Sequence, residues 1–176
     1  MSKVAFTKLG LKPNTEVVTI HFNDLEIEVK QYLPIQEKLE LIGDVINGVL
    51  ATDDNKFPNF LKMDMFLNLE IVFKYTNISF TEKQKEDLPK LYDLLAGAGL
   101  IEKIVDTIPK GEYHILYSTS VDSLEGIHQY KNSAYGILDA ISTDYENLNL
   151  DIDALTSKLS NAENLGLVKD VVTKLG

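Results

Sequence analysis

The residues best suited to metal or acid–base chemistry are three histidines, His21, His114 and His128. Glu125 and His128 form one Glu-x-x-His pair, whereas a di-iron carboxylate site needs two such pairs and two further inward-facing glutamates. The chain has no cysteine, so too few ligands remain for a structural zinc site. We therefore interpret the histidines as surface or capping residues and expect no metal.

Three other segments share the composition of ligand-binding loops without their motifs. Asp53-Asp54-Asn55 and Asp151-Ile152-Asp153 lack the alternating ligands, central glycine and late glutamate of a calcium loop. Ala96-Gly97-Ala98-Gly99 follows a helical pattern and lacks the Gly-Lys-Ser/Thr of a phosphate loop. Such segments are typical of turns and caps, so we expect a non-enzymatic protein with no catalytic residue and no cofactor. A carboxylate or histidine site assembled only in space stays open as an alternative.

Composition narrows the function further. The 176 residues contain 17 lysines and no arginine against 27 Asp and Glu, which gives a formal net charge of −10. Arginine is the preferred residue for gripping phosphate and reading guanine, so this acidic chain is a poor candidate for binding nucleic acid. No apolar run approaches the length of a membrane span, and no signal peptide is evident. We expect a cytoplasmic protein that binds neither nucleic acid nor membrane.

A β-hairpin is predicted near the N-terminus. Residues 16–22 are rich in β-branched and aromatic side chains, Asn23-Asp24 is a turn signal, and residues 25–30 alternate apolar and charged side chains. A lone hairpin is marginal in water, so it must pack on helices or a partner, and its outer edge can recruit another strand. Its predicted buried face carries Leu25, Ile27 and Val29.

Helical spacing of apolar residues dominates the rest of the chain. Pro34 opens the first helix. A largely buried helix is predicted over 59–76, and a short one over 100–107. Thr81 begins a capped helix that should break near Pro89. The apolar stripe of the first helix comprises Ile35, Leu39, Ile42, Val45, Ile46 and Val49.

A long helical pattern then runs from Tyr113 to about Tyr145, weakened by its glycines. The polar joint near 144–151 is the best domain boundary. We predict a mainly α fold with an N-terminal β-hairpin packed on a multi-helix bundle in residues 1–147. Residues 148–176 are predicted to form a C-terminal helical hairpin, which can pack as part of the same domain.

Tyrosines along the long helical pattern are the compositional hint of partner binding. Tyrosine is enriched at interfaces because it combines a large contact area with a polar tip. Packing at the edge of the core explains the same pattern equally well, and both interpretations stay open. Together with the hairpin they define a candidate partner-binding set: Leu25, Ile27, Val29, Tyr32, Tyr117, Tyr130 and Tyr135.

The order of elements in residues 16–50 carries a family resemblance. A strand, the Asn23-Asp24 turn, the alternating strand Leu25–Lys30 and then Gln31-Tyr32-Leu33-Pro34-Ile35 lead into an acidic amphipathic helix. This order resembles the start of phage tail assembly chaperones, small proteins from the tail-gene modules of phages of AT-rich, Gram-positive hosts. The matching segment covers under a third of the chain.

The resemblance implies a non-enzymatic role in phage morphogenesis. Such chaperones coat the hydrophobic tape-measure protein and help to recruit tail-tube subunits in the host cytoplasm. The expected partners are therefore a tape-measure or tail-tube protein, with a homo-oligomer also open. Two alternatives stand beside this expectation: a virion or connector structural protein, and a small acidic inhibitor or trigger of a host defence protein.

Overall fold

The residues that the structure describes fold mainly into α-helices that follow an N-terminal antiparallel β-hairpin in the sequence, which confirms the predicted fold class. The structure is a computed structural model, and it describes residues 3–51 and 59–146. A short 3-10 helix at Phe6–Leu9 precedes the hairpin. The further elements are β1 (Val17–Phe22), β2 (Leu25–Lys30), α1 (Ile35–Ala51), α2 (Phe60–Tyr75), α3 (Glu82–Lys85), α4 (Leu88–Gly97), α5 (Leu100–Thr107), α6 (Lys110–Lys131) and α7 (Ala134–Glu146).

Two compact units divide the described residues, and the division falls inside α6. The first unit contains the hairpin, α1 to α5 and α6 as far as Val121. The second begins at Asp122 and includes the remainder of α6 and α7. The predicted boundary after residue 147 and the predicted helical hairpin over 148–176 lie outside the described residues. Within the described ranges, no helix combines the length and apolar character needed to cross a membrane.

The hairpin turn follows from two residues that tolerate left-handed backbone. Asn23 and Asp24 have φ of 48° and 63°, the paired positive values of a type I′ turn. This turn aligns Ile20 with Ile27 and Phe22 with Leu25 across the two strands. Ile27 is buried as predicted, whereas Leu25 is 66% exposed. Leu25 lies on the predicted face, but it borders the turn at the tip of the hairpin and extends beyond the core.

The core of the first unit forms between α1 and α2, which pack along their lengths. Helix α2 buries residues around most of its circumference, as its sequence predicted. On α1 the buried face is Lys38, Leu41, Val45, Ile46 and Val49. Ile35 and Leu39 share the apolar stripe of the sequence but lie in solvent. Compared with the apolar stripe, the buried face is rotated toward Lys38 and Leu41, because the Lys38 ammonium group forms an ion pair inside the first unit.

Local signals placed several helix ends correctly. Thr81 and Gln84 form the predicted capping box of α3. The predicted break near Pro89 separates α3 from α4, and Pro89 lies in the first turn of α4. The Asp87 side chain caps α4 by accepting a hydrogen bond from Lys90 N–H at 3.2 Å. Helix α5 covers 100–107, as predicted, and α2 begins at its cap Asn59. Capping bonds satisfy backbone N–H groups that have no partner within the helix, so these boundaries are specified locally.

The long helical pattern from Tyr113 to Tyr145 is wrong as one helix, because the chain turns between α6 and α7. Ser133 ends α6 by donating its hydroxyl to the Tyr130 carbonyl oxygen at 2.7 Å. The same hydroxyl accepts Gly136 N–H at 3.1 Å and so caps α7. A Cβ at Gly136 would collide with the Tyr130 carbonyl oxygen. The turn therefore requires glycine at this position.

Gly136→Ala is expected to destabilise the second unit by about 1–3 kcal/mol, since the backbone at Tyr130 has to move to admit the methyl group. Gly126→Ala is the matched control in α6, where nothing lies within 4 Å of the added Cβ. The control should stabilise slightly, by up to about 1 kcal/mol, through helix propensity. Urea denaturation of both variants measures the difference, and equal effects would contradict this account of the turn.

Candidate partner-binding surface

The outer edge of β2 is already paired within the first unit. In the hairpin register, Glu28 is one of the residues whose backbone groups point away from β1. Its N–H donates to the Asn77 side-chain oxygen at 3.1 Å, and its carbonyl accepts Asn77 N–H at 3.3 Å. A further bridge joins Val29 to Thr76. The segment after α2 therefore covers this edge.

The outer edge of β1 is covered at one end only. Backbone groups along β1 point alternately toward β2 and away from it. Glu16 points toward β2, because its carbonyl accepts Gln31 N–H, so the residues that point away are Val17, Thr19 and His21. Lys103 from α5 donates to the His21 carbonyl oxygen at 2.6 Å. The outward backbone groups of Val17 and Thr19 have no hydrogen-bonding partner among the residues that the structure describes. This edge presents unpaired donors and acceptors to an incoming strand.

The predicted hairpin residues divide between core and surface. Ile27 and Val29 are buried, so they hold the hairpin to the first unit and present no surface to a partner in this structure. Leu25 is exposed at the tip, and Val17 and Val18 on β1 are 46% and 37% exposed. The exposed valines were not part of the predicted set. Their position before the turn, in a strand with no charged residue, was the available signal.

The predicted tyrosines are exposed but are distributed over both units. Tyr32 and Tyr117 belong to the first unit, whereas Tyr130 and Tyr135 belong to the second. Tyr135 is 81% exposed. Tyr117 stacks on Tyr113 with ring centroids 6.2 Å apart. The prediction that these tyrosines bind a partner stays a prediction.

A buried polar cluster positions the hairpin relative to the helices. Glu112, in the first turn of α6, accepts three hydrogen bonds. Its Oε1 receives Leu33 N–H at 3.0 Å and the Tyr75 hydroxyl at 2.8 Å. Its Oε2 receives Lys38 Nζ at 2.8 Å. Tyr32 covers the ammonium group, with its ring centroid 4.0 Å from Nζ.

The cluster is deeply buried, so the stability of the fold depends on every polar group in it having a hydrogen-bond partner. The side chains of Lys38 and Glu112 are only 7% and 6% exposed. Removing either partner of such a pair leaves an uncompensated charge in the interior. Burial and the bond to Glu112 raise the pKa of the Tyr75 hydroxyl, which therefore stays protonated and donates.

Sequence reasoning missed this cluster, although one signal was present. Lys38 lies on the same helical face as Leu41 and Val45, and a charged residue on an apolar face requires a partner. Nothing in the sequence identifies Glu112, 74 residues further on, as that partner. Several other glutamates are available, and only folding selects among them.

A second electrostatic feature is centred on Glu70 of α2. Burial and the nearby Asp44 carboxylate raise the pKa of Glu70 to about 7, and Lys74 and Lys85 offset part of the rise. Lys74 stabilises the charged form of Glu70 only in part, because its Nζ lies 3.4 Å from the Asp44 carboxylate. The folded first unit therefore keeps Glu70 protonated to a higher pH than the unfolded chain does.

The histidines form no common site. His21 and His114 are exposed, and the half-buried His128 ring contacts the Asn132 side-chain amide at 3.2 Å. Across the described ranges, no three His, Asp or Glu residues are grouped so that they can hold a metal. The second unit has an open cleft of about 490 Å³ between α6 and α7, lined by Ser123, Gly126, Ile127, Tyr130, Lys131, Gly136, Asp139 and Ala140.

Comparisons with protein-family models, curated protein sequences and solved structures found no match for this chain.

Glu112→Ala is expected to lower the free energy of unfolding by about 3–5 kcal/mol, because Lys38 would remain buried without its counter-charge. The double variant Lys38→Met with Glu112→Leu should recover part of this loss, because no buried charge is then left unpaired, whereas Leu33 N–H and the Tyr75 hydroxyl still lose their acceptor. Glu125→Ala, an exposed glutamate of the same helix, is the control and should change stability by about 0.5 kcal/mol or less. Urea denaturation checks all three, and a Glu112→Ala loss no larger than the control would exclude a stabilising cluster.

Stability is also expected to depend on pH through Glu70. Because its folded-state pKa of about 7 lies above the ordinary glutamate value of 4.5, the folded protein binds more protons than the unfolded chain between these two pH values. Stability should therefore fall as pH rises through this window. Glu70→Gln should remove that fall and stabilise the protein at about pH 8 by an amount of the order of 1 kcal/mol, after discounting for solvent screening. Chemical denaturation at several pH values measures the free energy of unfolding, with exposed Glu102→Gln as the control. If this free energy falls with pH as steeply in Glu70→Gln as in the wild type, Glu70 is not the group responsible.

Proposed function

We propose that this protein is a non-enzymatic binding module that captures an extended segment of another protein by strand addition to β1. The unpaired backbone groups of Val17 and Thr19 support this proposal most directly. Strand addition derives affinity from main-chain hydrogen bonds, and pockets for alternate side chains add specificity. The edge needs no rearrangement to accept a partner, which limits the entropy lost on binding.

The surroundings of β1 favour an uncharged, apolar segment. The six residues of β1 include no acid and no lysine. An added strand would place alternate side chains beside Val18 on the face toward the core and beside Val17 on the outer face. Both valines are partly exposed, so their remaining apolar surface is available for burial.

The biological role that we propose is phage tail assembly, with the tape-measure or tail-tube protein as partner. The resemblance of residues 16–50 to tail assembly chaperones supports this role. A net charge of −10 is consistent with it, because like charge keeps apolar cargo complexes dispersed. Under this proposal the protein acts in the host cytoplasm while its partner awaits assembly.

Thr19→Pro tests strand addition at the hairpin edge. Proline removes the outward N–H of Thr19 while leaving the bonds between β1 and β2 intact, because Thr19 does not donate to β2. Under this proposal, binding to the tape-measure or tail-tube protein should weaken by about tenfold or more, which corresponds to about 1.4 kcal/mol. Co-purification and isothermal titration with each protein provide the measurement.

Thr19→Val is the matched control, since it keeps the N–H and should keep binding. Circular dichroism of both variants verifies that the hairpin is intact. Equal binding by Thr19→Pro and Thr19→Val would eliminate strand addition at β1. Failure of the wild-type chain to bind either tail protein, or a gene far from any tail gene, would refute the assembly role.

A further inference from the structure

Helix α5 closes one end of the outer edge of β1. The ammonium group of Lys103 donates to the His21 carbonyl oxygen at 2.6 Å, in the position that the backbone N–H of an added strand would take. Ile104, the next residue of α5, is completely buried, so the helix that carries Lys103 is anchored in the core. A strand added to β1 therefore pairs with Val17 and Thr19 and has to end or turn away at His21.

Two hydrogen-bond donors at this closed end are available to a partner. The His21 N–H points away from β2, as the N–H groups of Val17 and Thr19 do, and it has no acceptor among the residues that the structure describes. The Lys103 ammonium group has three N–H donors, and its bond to the His21 carbonyl uses one of them. Both donors border His21, so a single acceptor group at the end of an added strand can use them.

The Lys103 ammonium group also lacks a counter-charge. Glu102 and Asp106 belong to the same helix, and Glu26 lies opposite His21 across the hairpin. Over residues 3–51 and 59–146, none of these acids or any other forms an ion pair with Lys103. Strand β1 itself carries no acid. The closed end of the edge therefore presents an exposed positive charge that no carboxylate of the described chain neutralises.

A carboxylate is the acceptor that best matches these donors. It provides two oxygens and a negative charge, and hydrogen bonds between ionised groups are shorter and stronger than neutral ones. An Asp or Glu side chain can reach this end from a strand that runs in either direction along β1. A C-terminal carboxylate reaches it only from a strand parallel to β1, so an acidic side chain is the more general match.

We propose that Lys103 and the His21 N–H select partner segments in which an Asp or Glu borders the apolar strand, at the end that lies against α5. This inference rests on the strand addition proposed above and adds the chemical class of one partner residue. Main-chain bonds to Val17 and Thr19 bind the strand, and the carboxylate fixes its register. A slip of two residues would move the carboxylate about 7 Å along the edge, away from Lys103.

Calorimetric titration of the full chain with three synthetic peptides tests this selection. Each peptide is a strand of alternating Val and Thr with blocked termini, and it carries Glu, Gln or Lys at both ends. The Glu peptide should bind about three- to tenfold more tightly than the Gln peptide. Raising NaCl from about 0.05 to about 0.5 M should reduce this preference, because salt screens the exposed pair.

Variants of Lys103 separate its charge from its structural role. Lys103→Met keeps most of the side-chain stem and removes the charge, so it should bind the Glu and Gln peptides alike. Lys103→Arg keeps a charged donor and should keep the preference. Lys83→Met removes an exposed lysine of α3 and is the matched control, which should behave like the wild type. Circular dichroism verifies that each variant is folded.

The order of affinities distinguishes local selection from the overall charge. The net charge of −10 favours the Lys peptide over the Gln peptide and the Gln peptide over the Glu peptide, whereas Lys103 favours the Glu peptide. Tightest binding of the Lys peptide would overturn the inference, as would a Glu preference that survives in Lys103→Met.

Failure of this inference is distinguishable from failure of strand addition. Equal binding of the Glu and Gln peptides by the wild type, weakened for both by Thr19→Pro, would refute the role of Lys103 and leave strand addition standing. Failure of all three peptides to bind the wild type would refute strand addition and this inference with it. Binding that requires a free C-terminal carboxylate in place of the Glu side chain would refute selection of an acidic residue.

Discussion

The buried carboxylate of Glu112 is the interaction on which the first unit depends. It joins the segment after the hairpin, α1 and α2 to α6 through Leu33, Lys38 and Tyr75. These contacts connect parts of the chain separated by 37 to 79 residues. Burying a carboxylate is costly unless each oxygen is hydrogen-bonded, and here both are. The cluster therefore specifies one arrangement of the elements, since a shifted arrangement would leave a charge without its partner.

The orientation of the hairpin determines which of its edges is available. Leu33 is anchored directly after β2, and Asn77 pairs with Glu28 on the β2 edge. The β1 edge is left to face outward, with Lys103 covering its end at His21. A lysine at a strand edge is a common protection against uncontrolled pairing. The same fold that buries the hairpin thus concentrates the open backbone groups in a short stretch around Thr19.

Prediction from the sequence succeeded where the signal was local. The Asn23-Asp24 turn, the Thr81 capping box and the break at Pro89 each depend on residues within one turn of chain. It failed where distant packing decided, as for Ile35 and Leu39, whose apolar character did not bring them into the core. The single helix predicted from Tyr113 to Tyr145 failed because the Ser133 hydroxyl bonds make the turn, and serine alone is a weak signal. Of the candidate surface, the sequence identified the hairpin but not its free strand.

The sequence by itself determined the chemistry that is open to this protein. The chain has no arginine for bidentate phosphate binding, no cysteine thiol and a net charge of −10, and its periodicity predicts helices after a hairpin. Only the tertiary structure decided that Lys38 pairs with Glu112, that Leu25 is exposed, and that Val17 and Thr19 keep unpaired backbone groups. The physical reason is that these outcomes depend on which distant elements meet, and a residue pattern along one element carries no information about its neighbour in space.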